Sequence, residues 1–277
     1  MKSLKVSTVI VKSITYIFCI IGFILSVGPL VWTISTSLKP VNEIFSYPPT
    51  LIPSQLQFDN YITAWNSAPF ARFFLNTIFV SVVSVAGQVG FSALAAYAFA
   101  RIRFPGREII FLSFICSMMI PIVIVLIPQF LIMRSLNWLD TFYAITGFFG
   151  NAFAIFFMRQ FFITVPDSME ESAQIDGCGR FGIFMKIFIP ISKHALITLT
   201  LIQFVRAWNN FFWPLIVTNR ESMKVLPVAI STTFFNYVSV DWSGLTAAST
   251  MALMPIVLLF FFSKDYLIES ISLTGFK

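Results

Sequence analysis

The chain has 277 residues, of which 57% are hydrophobic and only 11% charged, and phenylalanine alone occurs 34 times. A soluble domain carries roughly 25% charged residues, so this chain has too few to cover a water-facing surface. Soluble enzymes, disordered chains and nucleic-acid-binding domains are thereby excluded, and a polytopic membrane protein remains. The net charge of +6 does not alter this, because the 18 basic residues are scattered and form no cluster for a polyanion.

Charge-free stretches locate the membrane spans. Residues 13–38, 73–100, 109–133, 141–158 and 242–263 contain no Asp, Glu, Lys or Arg, and 194–219 contains only Arg206. A helix needs about 20 largely apolar residues to cross the hydrocarbon. The runs are continuously apolar rather than alternating, which excludes strands. The expected architecture is therefore all-α, a single transmembrane domain over 1–277. Its six spans lie near 14–36, 74–98, 110–133, 142–158, 196–217 and 245–262.

Lys2, Lys5 and Lys12 precede the first apolar run, which is far longer than the core of a signal peptide and lacks a small-residue cleavage site. A retained signal-anchor helix is expected. With the N-terminus inside, twelve Lys and Arg fall on the inner side, from Lys2 to Lys277. Five fall outside (Lys39, Arg72, Arg134, Arg220, Lys224), and Arg206 lies in the membrane. The positive-inside rule gives an N-in, C-in orientation.

The connections differ in kind. Outer segments 39–72 and 218–244 are polar, the first of them rich in proline, and 134–140 is a short outer turn. In the second span, Ala86/Gly90 and Ser92/Ala96 are small-residue pairs that suit close helix packing. Pro121 and Pro128 mark breaks in the third span, suited either to a translocation path or to packing kinks. Of the three cysteines, Cys19 and Cys116 read as membrane-buried and Cys178 as cytoplasmic, with no disulfide or metal site expected. His194, the single histidine, reads as an interfacial residue and excludes any mechanism that needs two imidazoles.

Residues 159–195 form the longest inner excursion, with four acids and four bases interleaved. Ser168 and Glu171 have the spacing of a capping box, which starts a helix over about Met169–Asp176 after Pro166. Gly177 and Gly179 then suit a left-handed turn. A second helix is expected from Arg180 to near Pro190. The first helix sets Met169, Ala173 and Asp176 on one side. Such a segment fits either a docking element for a partner groove or a solvated connector at the headgroups.

The run Glu171-Ser172-Ala173-Gln174-Ile175-Asp176-Gly177, followed at the right spacing by Ile187-Phe188-Ile189-Pro190, resembles the EAA loop of ABC-importer permeases. Ser172 replaces the first alanine, and Ile189 stands for leucine. Further similarities are Tyr97-Ala98-Phe99-Ala100-Arg101, Phe104-Pro105-Gly106-Arg107, Arg159-Gln160-Phe161-Phe162, Trp208-Asn209, Trp213-Pro214-Leu215 and Leu273-Thr274-Gly275. The chain is most similar to the smaller permease subunit of carbohydrate importers of the maltose-transporter type. One departure is His194, where these permeases usually have proline.

That resemblance implies a non-catalytic permease subunit of a bacterial-type plasma-membrane importer. It implies a second permease chain, favouring one different from this chain, a dimer of cytoplasmic ATPase subunits and an extracytoplasmic solute-binding protein. Glu171, Ser172, Ala173, Asp176 and Gly177 become ATPase-coupling residues. In that role Glu171 caps the helix and meets a base on the ATPase, Ala173 permits close approach and Gly177 makes the turn. This chain carries no phosphate-binding G-x-x-x-x-G-K-[ST] loop, so ATP and Mg are expected on the partner and no cofactor on this chain. Related permeases serve sugars, oligosaccharides, polyols and glycerol phosphate.

Candidate substrate-path residues cluster in the fifth span: Gln203, Arg206, Trp208, Asn209, Asn210 and Trp213. An intramembrane arginine is costly unless it faces a polar cavity or snorkels. The same set also suits interhelical hydrogen bonds and an interfacial aromatic belt. The alternative transport class is an ion-coupled secondary transporter, which usually carries acids in its spans; none of these spans contains one. No metalloprotease or serine-hydrolase motif, nor any pair of membrane carboxylates, supports an intramembrane enzyme.

Overall fold

The computed structural model describes residues 2–146, 150–235 and 239–274, with side chains described over 11–146, 150–235 and 239–264. Gly275 of the terminal motif, Lys277, the side chains of Lys2 and Lys5, and positions 147–149 of the expected fourth span lie outside these ranges. Among the described residues every regular element is helical, apart from a single antiparallel bridge between Phe235 and Val240.

Among the described residues three helices are long and apolar enough to cross a bilayer. They are α1 (Lys2–Ser37) over Val11–Ser37, α4 (Phe70–Arg101), and α15 (Trp242–Thr274) over Trp242–Lys264. Between α1 and α4 lie the short helices α2 (Val41–Ile44) and α3 (Asp59–Asn66). Two further apolar segments are bent pairs, so the chain has between three and five candidate spans.

The first bent pair is α5 (Arg107–Ser117) and α6 (Ile122–Ser135), which meet at 103°. Pro121 explains the break, since it offers no N–H to continue the ladder and disfavours helical geometry at Ile120. Pro128 lies inside α6 without ending it, so only one of the two expected breaks forms. In place of a continuous fourth span there are α7 (Phe142–Thr146) and α8 (Ala152–Ile163). Asn151 caps α8 by accepting a hydrogen bond from the Ala154 amide at 3.1 Å.

The segment 159–195, expected on the inner side, holds α9 (Asp167–Ile175), α10 (Arg180–Ile183), a π-helical turn over Phe184–Phe188 and α11 (Ile189–Ile191). An 80° bend then leads into α12 (Lys193–Trp208). The fifth apolar stretch breaks again at Asn209–Phe211 before α13 (Phe212–Val217). A 3₁₀ turn at Glu221–Met223 and α14 (Leu226–Phe234) follow.

The chain groups into two compact units. The first holds Met1–Phe70 and Ile230–Met254, and the second holds Ala71–Ala229 and Pro255–Lys277. In the first, the segment after α1 folds back on the helix end. Asn60 donates to the Ser37 and Lys39 carbonyls at 2.9 and 3.0 Å, and the Gln57 amide donates to Leu38 O at 2.9 Å. The second is built on aromatic packing: Tyr97, Phe162, Phe184 and Phe188 sit together with Ala93, Ala96, Met158 and Leu199. Ser92 and Ala96 are buried, as close packing requires, whereas Ala86 and Gly90 line an open apolar groove.

Gly244, in the first turn of α15, shows how tight the first unit is. A Cβ there would overlap the Asp241 carboxylate and the buried ring of Phe234. Overpacking of this kind costs about 1–3 kcal/mol. Gly244→Ala is therefore expected to lower the thermal midpoint in detergent. Gly182→Ala, where a Cβ meets nothing within 4 Å, is expected to leave it unchanged or raise it slightly.

Candidate functional site

The expected cytoplasmic loop is fastened to α4 by one side chain. Arg101 closes α4, and its guanidinium donates to the carbonyls of Phe162 (2.7 Å) and Val165 and ion-pairs with Asp167. The first two acceptors are at and just beyond the end of α8, where helix carbonyls lack intrahelical donors. Asp167 opens α9, where a carboxylate also favours the helix dipole. Arg101 further lies over the Phe188 ring at 5.2 Å. Its side chain is 7% exposed against 82% for Asp167. The carbonyl bonds therefore hold the geometry, and the exposed ion pair adds little.

A second arginine braces the same end. Arg159 of α8 donates to Phe99 O at 3.2 Å, meets Glu108 of α5 at 3.4 Å and stacks over Phe111 at 4.0 Å. Together the two arginines tie α4, α5, α8 and α9.

Helix α9 begins two residues earlier than the capping-box spacing implies. Pro166 occupies the cap position, no side-chain cap forms, and neither Ser168 nor Glu171 caps the helix. The helix starts directly after Pro166, whose backbone is extended, so the expected capping role of Glu171 is corrected. Ser172 donates back to Ser168 O at 2.8 Å. The far end matches the expected turn: Gly177 has φ +79°, Cys178 N donates to Ala173 O at 2.9 Å, and Gly177 N donates to Gln174 O at 3.0 Å. These are the two bonds of a Schellman motif, and the positive φ explains the glycine.

The faces of α9 also differ from the helical-wheel expectation. Ala173 is 8% exposed and belongs to the aromatic core of its own chain. Its small side chain serves the seating of α9 on that core. Asp176 lies just past the helix end, and Met169 is exposed. The outward face presents Glu171, Ser172, Gln174 and Ile175, the last 87% exposed.

The fifth-stretch residues do not converge on one cavity. Gln203 is 1% exposed, and its amide nitrogen has no hydrogen-bond partner. Arg206 is exposed and lies over Phe153 at 4.8 Å. Trp208 is buried, stacked on Phe204 at 5.6 Å and edge-on to Phe74 at 6.0 Å. Asn209 bonds back to Val205 O at 2.9 Å, Asn210 continues the turn through its amide, and Trp213 donates to Ala144 O at 2.7 Å. Trp208, Asn209 and Trp213 thus have structural partners, while Gln203 and Arg206 keep polar capacity to spare. The groove lined by Val89, Gly90, Phe184, Met185, Ile189 and Leu196, about 410 Å³, is apolar and unsuited to a polyhydroxylated ligand.

Sequence reasoning missed a second polar cluster. Asn76 of α4 donates to the carbonyls of Ser222 and Lys224 at 3.0 and 2.9 Å, and Thr77 accepts from Leu226 N at 2.7 Å. Asp140 accepts from the amides of Asn219 (2.6 Å) and Arg220 (2.8 Å). Their signal was present: Asn76 and Thr77 are polar residues inside an apolar run. Partial burial pushes the Asp140 carboxyl up, but the amides of Arg220 and Asn219 outweigh it and hold it below the ordinary carboxylate value.

Two expectations follow. Arg101→Lys keeps the charge but loses the forked donation, leaving the Val165 carbonyl unmet at about 1–3 kcal/mol. Amide exchange across α9 should speed up while the rest of α4 stays protected. For Asp140 the folded value is the lower one, so its contribution is complete above the unfolded value and lost as pH falls through the folded value. Protection of amides 219–226 should be flat at neutral pH and decline only in strong acid, and Asp140→Asn should abolish that dependence.

Comparison with known proteins places the chain in a family. Residues 88–272 match the family model described as binding-protein-dependent transport system inner membrane component. The chain is 35% identical over 277 residues to the arabinooligosaccharides transport system permease protein AraQ of Halalkalibacterium halodurans, covering 99% of each. It is 32% identical over 251 residues to the sn-glycerol-3-phosphate transport system permease protein UgpE of Yersinia enterocolitica, covering 86% of this chain and 89% of the relative. Among solved structures, a chain of a bacterial ABC transporter involved in the import of the acidic polysaccharide alginate superposes with a TM-score of 0.81. The identity is 27%, over 93% of this chain and 96% of that one.

Proposed function

The chain belongs to the family of binding-protein-dependent transport system inner membrane components and is a permease, and from this we propose that it carries a carbohydrate or related polyol across a bacterial plasma membrane. The relatives named for arabinooligosaccharides and glycerol phosphate support a polyhydroxylated cargo. In this reading the chain has six spans with both termini inside, as the inner excess of Lys and Arg supports. On this reading the bent pair α5–α6, the pair α12 and α13 broken at Asn209–Phe211, and the interrupted α7–α8 are the spans that are not single helices. It pairs with a second permease, takes cargo from an extracytoplasmic binding protein, and is driven by a dimer of ATPase subunits that bind ATP and Mg. The permease chain itself catalyses nothing.

The single observation that carries the coupling assignment is the Arg101 attachment of α9 to α4. It leaves Glu171, Ser172, Gln174 and Ile175 outward for a partner while Ala173 locks the helix to its own core. Gln203 and Arg206 are the path candidates of choice, since their polar groups are not consumed by neighbours as those of Asn209 and Trp213 are. The segment around 219–226, fixed by Asn76, Thr77 and Asp140, presents a rigid surface to the binding protein.

Glu171→Lys and Gly177→Asp test the coupling role. Both variants should insert and pair with the second permease, yet lose the ATPase on co-purification or lose ATP-driven uptake in proteoliposomes. Uptake at the native rate by both would remove the assignment.

A further inference from the structure

The segment between α1 and α3 has more apolar surface than a water-facing loop tolerates. Tyr47 is 96% exposed, Ile52 81% and Phe45 72%, with Leu51, Leu56 and Phe58 each more than half exposed. Side chains of this size and number form a patch that water does not cover cheaply.

The loop is nevertheless clasped. Glu43 accepts from the Ser54 amide and hydroxyl (3.1 and 2.8 Å) and from the Thr50 hydroxyl (2.8 Å). Lys39, fully buried, donates to Thr50 O and lies over Trp32 at 4.6 Å. Ser35 donates to Leu51 O, tying the loop tip to the last turns of α1. Residues 40–58 contain no charge besides Glu43, and that carboxylate is spent inside the clasp. The Glu43 carboxylate and its hydroxyl partners are bonded to one another within the loop, while Phe45, Tyr47 and Ile52 face outward.

The position of the loop decides what covers it. It grows directly from the end of the Val11–Ser37 span, whose side chains Leu30, Val31, Trp32 and Ile34 are exposed for lipid. Phe45 packs edge-on to Trp242 at 5.9 Å, and Trp242 opens the Trp242–Lys264 span. Trp32 and Trp242 are thus at the same-side ends of two spans, the placement of an interfacial aromatic belt. The exposed surface of the loop continues the lipid-facing surface of both helices.

We propose that the clasped loop 40–58 is a membrane-surface anchor that seats Phe45, Tyr47, Leu51 and Ile52 in the interfacial layer of the bilayer. The neutral, inward-bonded clasp makes that insertion cheap, because no unpaired charge enters the headgroup–acyl boundary. The loop then fixes the depth and tilt of α1 and of the last span. The proposal rests on reading those two helices as spans.

The test uses the full transporter in phospholipid vesicles, with Cys19→Ser, Cys116→Ser and Cys178→Ser as background. Nitroxides are placed singly at Tyr47→Cys and Ile52→Cys, with Phe23→Cys as the lipid reference and Glu221→Cys as the aqueous one. Collision rates with oxygen and with a water-soluble nickel chelate are compared. The proposal expects oxygen-to-nickel ratios at 47 and 52 clearly above that at 221 and shifted toward that at 23. Ratios at 47 and 52 equal to that at 221 would overturn it. Shielding from nickel that develops only when the binding protein is added would overturn it too, assigning the surface to that protein. An aqueous ratio at 23 would overturn the span reading itself, and the anchor with it.

Discussion

Arg101 terminates a 32-residue helix and holds, with one guanidinium, the end of α8 and the start of α9. Remove it and Val165 O loses its donor, Phe162 O keeps only the amides of its own turn, and α9 loses its polar tie to α4. A lysine cannot substitute, because a single ammonium cannot satisfy acceptors that lie on three sides of a planar fork. The aromatic packing beneath the loop supplies the cohesion. The arginine supplies the register, and Arg159 does the same for α5 and α8.

Helix α4 carries a polar attachment near each end. Asn76 and Thr77 hold residues 222–226, and Arg101 holds the α8–α9 junction. At about 1.5 Å per residue the 25 residues from Asn76 to Arg101 extend about 37 Å, slightly more than the hydrocarbon thickness of roughly 30 Å. No proline interrupts the helix. A stiff rod fixed at both ends conveys displacement from one to the other, as the proposed coupling requires. The bends elsewhere, at Pro121 and around Ser192, leave the neighbouring segments free to re-angle about this rod.

Much of this was legible in the sequence. The apolar runs gave the long helices α1, α4 and α15, and Gly177 fell on the left-handed turn its spacing implied. The start of α9 was misplaced because a capping box is only a local signal: the helix begins directly after Pro166, and its tie to α4 comes from Arg101, 66 positions away in the chain. Ala173 was read as facing a partner for a similar reason: a helical wheel gives faces but not which face meets its own core. Asn76, Thr77 and Asp140 were passed over because their partners are main-chain groups, which sequence does not mark. Trp213 and Asn209, chosen for their polarity, turned out to spend it on Ala144 and Val205.

The central claim is that α9 moves as one body with α4. The most direct measurement is the distance between spin labels at Ile175→Cys on the outward face of α9 and Val82→Cys on α4. It is read by pulsed electron resonance in the reconstituted transporter, first without nucleotide and then with ATP trapped. Rigid attachment predicts the same narrow distance distribution in both states, even as cargo crosses. A shift or broadening on trapping ATP would contradict it, because α9 would then be sliding on α4 rather than carrying it.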